Sequence, residues 1–212
     1  MPIRAVIFDI GGILEISPDG REPTEDFVKL MVSWEQRLGL NFGEFDQRIS
    51  NMKVDGSLGG ITEQEWQEDL RAVTGMDQEQ CDAFMHDFWD VYLGALNTKL
   101  ADYFSGLRPR YKTALLSNSF IGAREKEQER YHFAEMTDLV VYSHEEGIAK
   151  PDKRVYELTC ERLGVQPGET VYLDDAEPFV TGARDVGMHG ILYKDTDQAI
   201  ADIDALLQAN AN

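Results

Sequence analysis

Five short apolar runs, separated by helix-patterned sequence, set narrow limits on what this chain can fold into. Residues 5–8, 113–116, 139–142, 170–173 and 190–193 are rich in aliphatic or aromatic side chains, and they read as strands buried on both faces. Helical patterns fall near 98–107, 123–132, 153–163, 180–186 and 197–208. Strands alternating with helices predict an α/β fold, a mainly parallel sheet covered on both faces, with ligands at the carboxyl ends of the strands.

The stretch 18–96 breaks that rhythm. It holds no convincing strand, but helical spacing recurs in Phe27, Leu30, Met31, Trp34 and Leu38, in Trp66, Leu70 and Val73, and in Phe84, Phe88, Val91 and Tyr92. Thr62-Glu63-Gln64-Glu65 is a capping box, and a helical insertion of about four helices is the simplest account. Gly56, Gly59 and Gly60 then mark a loop between two of these helices, not a phosphate cradle. Residues 1–17 and 97–212 form the expected core.

At 212 residues and 42% hydrophobic content the chain can bury a substantial core. Its formal charge of -19 argues against nucleic acid or an anionic membrane as a partner. The densest charged stretch, Arg124 to Arg130, mixes signs at helical spacing and reads as a solvated helix face. Cys81 and Cys160 lie inside predicted helices, far from any metal-ligand spacing, and read as core packing. No secretory pattern and no apolar run near 18 residues is present, so the expected setting is cytoplasmic and reducing.

Four segments at or just after predicted strand ends carry the chemistry. Asp9 precedes Gly11-Gly12, where backbone amides can close around an anion and the carboxylate can attack phosphorus, although taken alone Asp9 reads better as a turn residue. Ser117-Asn118 offers a hydroxyl and an amide as neutral phosphate donors, or equally an ordinary helix cap. Lys150, just before Pro151 and a helix start, supplies a positive charge for a phosphate or a carboxylate, though such a residue by itself is usually on the surface. Asp174 and Asp175 end a hydrophobic strand as adjacent carboxylates, whose repulsion an oxygen-coordinated cation would relieve. One of them can face the metal while the other orients Lys150.

In this order the four segments resemble the haloacid dehalogenase superfamily over residues 3–193, and specifically its capped phosphatase branch, which includes small-sugar phosphatases and the phosphatase-like domain fused to some epoxide hydrolases. The resemblance implies a Rossmann-like core with a helical cap inserted between the first and second motifs. It casts Asp9 as the nucleophile that forms an aspartyl-phosphate, and Gly12, Ser117, Asn118 and Lys150 as the phosphate site. Mg2+ would be held by Asp9, the Gly11 carbonyl and Asp175, with Asp174 in support. The substrate would be a small phosphorylated metabolite. The resemblance says nothing of oligomeric state.

Two departures stand out. Family phosphatases read Asp-x-Asp where this chain reads Asp9-Ile10-Gly11, so the usual acid/base is absent. A positioned acid or base is worth about 100- to 10,000-fold in rate, enough to separate an efficient enzyme from a weak phosphate-binding or regulatory relative. Phe179 stands where an Asn or Asp commonly supports the metal. Glu15 and Asp19 are candidate substitute acids, with a surface role expected for each. Dehalogenase chemistry falls behind, because 9–14 carries neither the Tyr nor the Arg it typically needs.

Overall fold

The structure, a computed structural model, describes residues 1–17 and 23–209. The chain opens with β1 (Ala5–Phe8) and β2 (Glu15–Ile16), then passes through four helices, α1 (Pro23–Leu38), α2 (Glu44–Ile49), α3 (Glu63–Thr74) and α4 (Gln78–Leu93). It returns through β3 (Ala95–Leu96), α5 (Thr98–Gly106), β4 (Lys112–Ser117), α6 (Ala123–Tyr131), α7 (Phe133–Met136), β5 (Leu139–Tyr142) and α8 (Ser143–Glu146). The remainder is α9 (Lys153–Leu163), β6 (Thr170–Asp174), α10 (Glu177–Asp185), β7 (His189–Leu192) and α11 (Thr196–Ala209). No helix of the described residues is long and apolar enough to cross a membrane.

All five expected strands form, within a residue or two at their ends, and join in one parallel sheet of order β5-β4-β1-β6-β7. Alternation along β1 divides the core in two. Ala5 and Ile7 face Val155, Tyr156, Cys160 and Ala183 of α9 and α10, whereas Val6 and Phe8 face Leu100, Phe104, Ile203 and Leu207 of α5 and α11. Phe8 stacks on Phe104 with ring centroids 4.5 Å apart. Every side chain of β1 is fully buried, as a central parallel strand requires. Phe8 is in register with both Leu115 and Leu173, so the residues after β1, at the end of β4 and at the end of β6 converge on one edge of the sheet.

The four helices between β2 and β3 build a separate core from Leu30, Trp34, Phe45, Trp66, Leu70, Phe84 and Trp89. The Thr62 hydroxyl accepts from the Glu65 amide and the Glu65 carboxylate accepts from the Thr62 amide, as read from the sequence. An equivalent box at Asp77 and Gln80 starts α4. The stretch expected to hold no strand does end in one, β3, which pairs with β2 in a short antiparallel ribbon; two-residue strands carry no periodicity in the sequence.

The insert is fastened to the sheet edge through the glycine loop. Ile121 donates its amide to the Gly56 carbonyl at 2.8 Å, and Ser143 Oγ donates to the Ser57 carbonyl at 2.9 Å. Phe120, in the loop after β4, is edge-on to Trp66 and Phe88 of the insert. Gly59 has φ of 72°, and a Cβ there would lie 2.0 Å from the His144 carbonyl oxygen. Gly59→Ala should therefore lower stability by about 1–3 kcal/mol, read as a fall in the urea midpoint at constant m-value. An unchanged midpoint would mean that the loop docks without this close approach.

Candidate active site

The site grows out of the register of three strands. Asp9 follows β1, anchored by its amide donating to the Leu173 carbonyl at 2.9 Å. Its Oδ1 accepts from the Ile10 amide at 2.8 Å and from Lys150 Nζ at 2.7 Å. Lys150 Nζ also reaches Asp174 Oδ2 at 2.8 Å, and its side chain is only 1% exposed. One buried ammonium thus joins two carboxylates from neighbouring strands. Asp174 is held on its other side by the Ala176 amide, at 2.9 Å, and by the Tyr172 hydroxyl.

Asn118 fixes the lysine in place. Its Oδ1 accepts from the Lys150 amide at 2.8 Å and its Nδ2 donates to the Lys150 carbonyl at 3.0 Å. The Asn118 side-chain amide, expected among the phosphate donors, is engaged in positioning Lys150, and the residue lines the same pocket. Ser117, buried at the end of β4, lines the same pocket as Asp9. The Phe179 ring lies 5.0 Å from Lys150 Nζ, a cation–π distance, so the position that commonly supports the metal here covers the lysine.

Carboxylate oxygens of Asp9, Asp174 and Asp175 all lie within 4.8 Å of one another. A Cβ at Gly12, where φ is 74°, would fall 2.1 Å from Asp175 Oδ2. The glycine therefore makes room for that carboxylate. Burial raises the Asp9 pKa to about 7 against the pull of Lys150, with Asp174 adding to the rise. Burial opposes the charge on Lys150 as well, but Asp9 and Asp174 together hold its pKa above the ordinary value. Three clustered carboxylates share one cation, and this excess of negative charge fits a divalent metal.

The pocket encloses about 320 Å³. Asp9, Ser117, Lys150 and Asp175 form its polar floor, and Phe27 of α1, Tyr92 of α4 and Phe179 of α10 form aromatic walls. Among the described residues no arginine lines it. A Cβ at Gly11 would meet nothing within 4 Å, so the space of the absent acid is open.

Two expectations need correction. Glu15 is not on the surface: it is 4% exposed, lines the pocket, and has its pKa raised by burial and then by the charges of Glu127 and Asp9. Asp19 lies outside the described residues. The charged stretch of α6 is not wholly solvated either, because Glu127 is fully buried and accepts from the Tyr142 hydroxyl. Its Oε1 has no partner, and burial lifts its pKa to about 8. Its outward neighbours do behave as expected, Arg124 pairing with Glu145 and Arg130 with Asp90. Only the helical phase of Glu127, matched against the tyrosine that ends a strand, hinted at this.

With this geometry in place, comparison with known proteins gives the class. A haloacid dehalogenase-like hydrolase model matches residues 3–187, and the chain belongs to that family. It is 24% identical to the D-ribitol-5-phosphate phosphatase of Bacteroides thetaiotaomicron, covering 87% of this chain and 89% of that one. It is 27% identical to the bifunctional epoxide hydrolase 2 of Sus scrofa over 96% of this chain, but spans only 39% of that protein. A crystal structure of a family enzyme from Bacteroides thetaiotaomicron, a magnesium complex, superposes with a TM-score of 0.71 at 24% identity, covering 92% of this chain and 94% of that one.

Two measurements follow from the buried charges. Lys150→Met should cost about 3–5 kcal/mol in metal-free buffer, because it leaves two carboxylates buried without their cation, and denaturant unfolding reads the loss. Glu127 has a raised folded-state pKa, so its contribution to stability is full below the ordinary carboxyl range and is lost as pH rises through about 8. Glu127→Gln should therefore gain on wild type as pH increases from about 5 to about 9, by at least about 1 kcal/mol or roughly 2–4 °C in Tm. A difference in Tm independent of pH would show that Glu127 is ionised in the folded protein.

Proposed function

We propose that this chain is a magnesium-dependent hydrolase of a small phosphomonoester, working through an aspartyl-phosphate, with a sugar phosphate as the favoured substrate. The observation that carries this reading is the Asp9 carboxylate, fixed by Lys150 through Oδ1 in a pocket that Asp175 also lines, with the Asp174 carboxylate buried behind it. The phosphatase relative supports the reaction class, and its ribitol phosphate substrate supports a phosphorylated polyol or sugar.

Because Oδ1 is held by Lys150 and the Ile10 amide, the Asp9 oxygen left to attack phosphorus is Oδ2. The Ser117 hydroxyl and the Lys150 ammonium hold phosphoryl oxygens, while Gly12, whose amide is taken by the Glu15 carbonyl, serves by leaving room for Asp175. Asn118 acts by keeping Lys150 in place, and Asp174 by orienting its ammonium. Asp9, Asp175 and the Gly11 carbonyl would hold Mg2+, which supplies charge neutralisation on the phosphoryl group. Residues 18–96 act as the cap, a role supported by Phe27 and Tyr92 lining the same pocket as Asp9.

The open space at Gly11 favours a second reading, a protein that keeps the phosphate pocket and turns over poorly. Aryl phosphates separate the two, because their leaving group needs little protonation and an intact nucleophile still releases it. Wild type with Mg2+ should hydrolyse p-nitrophenyl phosphate, and Asp9→Asn should reduce that to background while keeping its fold by circular dichroism. Chelation should abolish turnover, and Mg2+ but not the larger Ca2+ should restore it. Turnover by Asp9→Asn at the wild-type rate would end the covalent mechanism.

A further inference from the structure

The absence of a side chain at Gly11 leaves the leaving group without a proton donor, and the chain supplies a carboxyl from the next turn. After β1 the backbone folds back on itself, with the Glu15 amide donating to the Ile10 carbonyl at 3.0 Å and the Gly12 amide donating to the Glu15 carbonyl at 2.8 Å. Glu15 then enters the ribbon opposite Leu96, so its backbone is fixed on both sides. Its side chain lines the pocket beside Asp9, Ser117 and Tyr92.

The Glu15 carboxyl is buried, yet its Oε1 makes no hydrogen bond. A buried polar atom without a partner is costly, and Glu15 carries that cost in a residue that lines a pocket where Gly11 supplies no acid. The groups that face it are mostly acidic or neutral: Glu127, whose own Oε1 is equally unpartnered, Asp9, Tyr92 and Tyr131, with Arg130 the single cation acting on it among the described residues.

We infer that Glu15 is a catalytic residue, donating the proton to the leaving oxygen and later taking one from the attacking water. This rests on the phosphatase reading above. As Asp9 Oδ2 bonds to phosphorus, the ester P–O bond breaks, and the leaving oxygen takes the Glu15 proton and departs as the neutral alcohol. Glu15 remains as a carboxylate. A water then attacks the phosphorus of the aspartyl-phosphate and gives one proton to Glu15, while the P–O bond to Asp9 breaks and returns its electron pair to the carboxylate. Inorganic phosphate leaves and both side chains regain their starting states.

The test compares kcat/KM of wild type and Glu15→Gln, with Mg2+, on p-nitrophenyl phosphate and on whichever polyol or sugar phosphate wild type hydrolyses fastest. Glu15→Gln should lose about 100- to 10,000-fold on the alkyl ester and less than about tenfold on the aryl ester. Equal losses on both esters, or no loss on the alkyl ester, would overturn the assignment. So would a wild type that hydrolyses the aryl phosphate and no alkyl phosphate at all. A wild type inactive even on the aryl phosphate would overturn the phosphatase reading itself, a result distinct from the others. Should Glu15→Gln fail to fold, Glu15→Asp withdraws the same acid by one methylene, and its losses are read against the same alkyl and aryl pair.

Discussion

A single ammonium, buried between the carboxylates of Asp9 and Asp174, holds the candidate site together. Burying three charges is expensive, and the cost is offset by the Ile10 and Ala176 amides and the Tyr172 hydroxyl on the carboxylates and by the Asn118 clamp on the lysine backbone, with Asp9 Oδ2 left over. The sheet register has to bring the ends of β1 and β6 level for one side chain to reach both. A shift of one residue along either strand would separate the pair and turn the core side chains to the wrong faces.

The pocket has two makers with different chemistry. The sheet edge contributes charge and hydrogen bonding in Asp9, Ser117, Lys150 and Asp175, whereas the helices of the insert contribute Phe27 and Tyr92. On the proposed reading, aromatic walls over a polar floor would exclude water from the phosphoryl group while presenting flat surfaces to the rest of a ligand. The charged residues of the pocket and two of its aromatic walls thus reside on separate stretches of chain.

The strands and most core helices were legible because burial on both faces forces continuous apolar runs, and strand-end residues such as Asp9, Ser117 and Asp174 could be located from those runs alone. Lys150 and Asp175 needed the family pattern, since an isolated lysine or a pair of acids has no local signature. Glu15 and Glu127 were misread for a common reason. Their burial is set by chain segments distant in sequence, β3 for Glu15 and Tyr142 of β5 for Glu127, and a charged residue in a polar stretch gives no local sign of such a partner. The hold of Asn118 on Lys150 has no local sign, because its hydrogen bonds are made to a backbone thirty-two residues away.

The β2–β3 ribbon has a consequence for how the molecule assembles. Phe8 must pair with Leu115 across the whole length of the insert, a contact that ordinarily slows folding because a long loop must close first. Placing Glu15 beside Leu96 makes a neck that carries the two ends of the insert side by side, about 5 Å apart. The insert has an aromatic core of its own and can form locally while the rest of the chain is still being synthesised. Once the neck closes, β1 and β4 are separated by only a short tether, and the central pairing of the sheet becomes in effect a near-neighbour event.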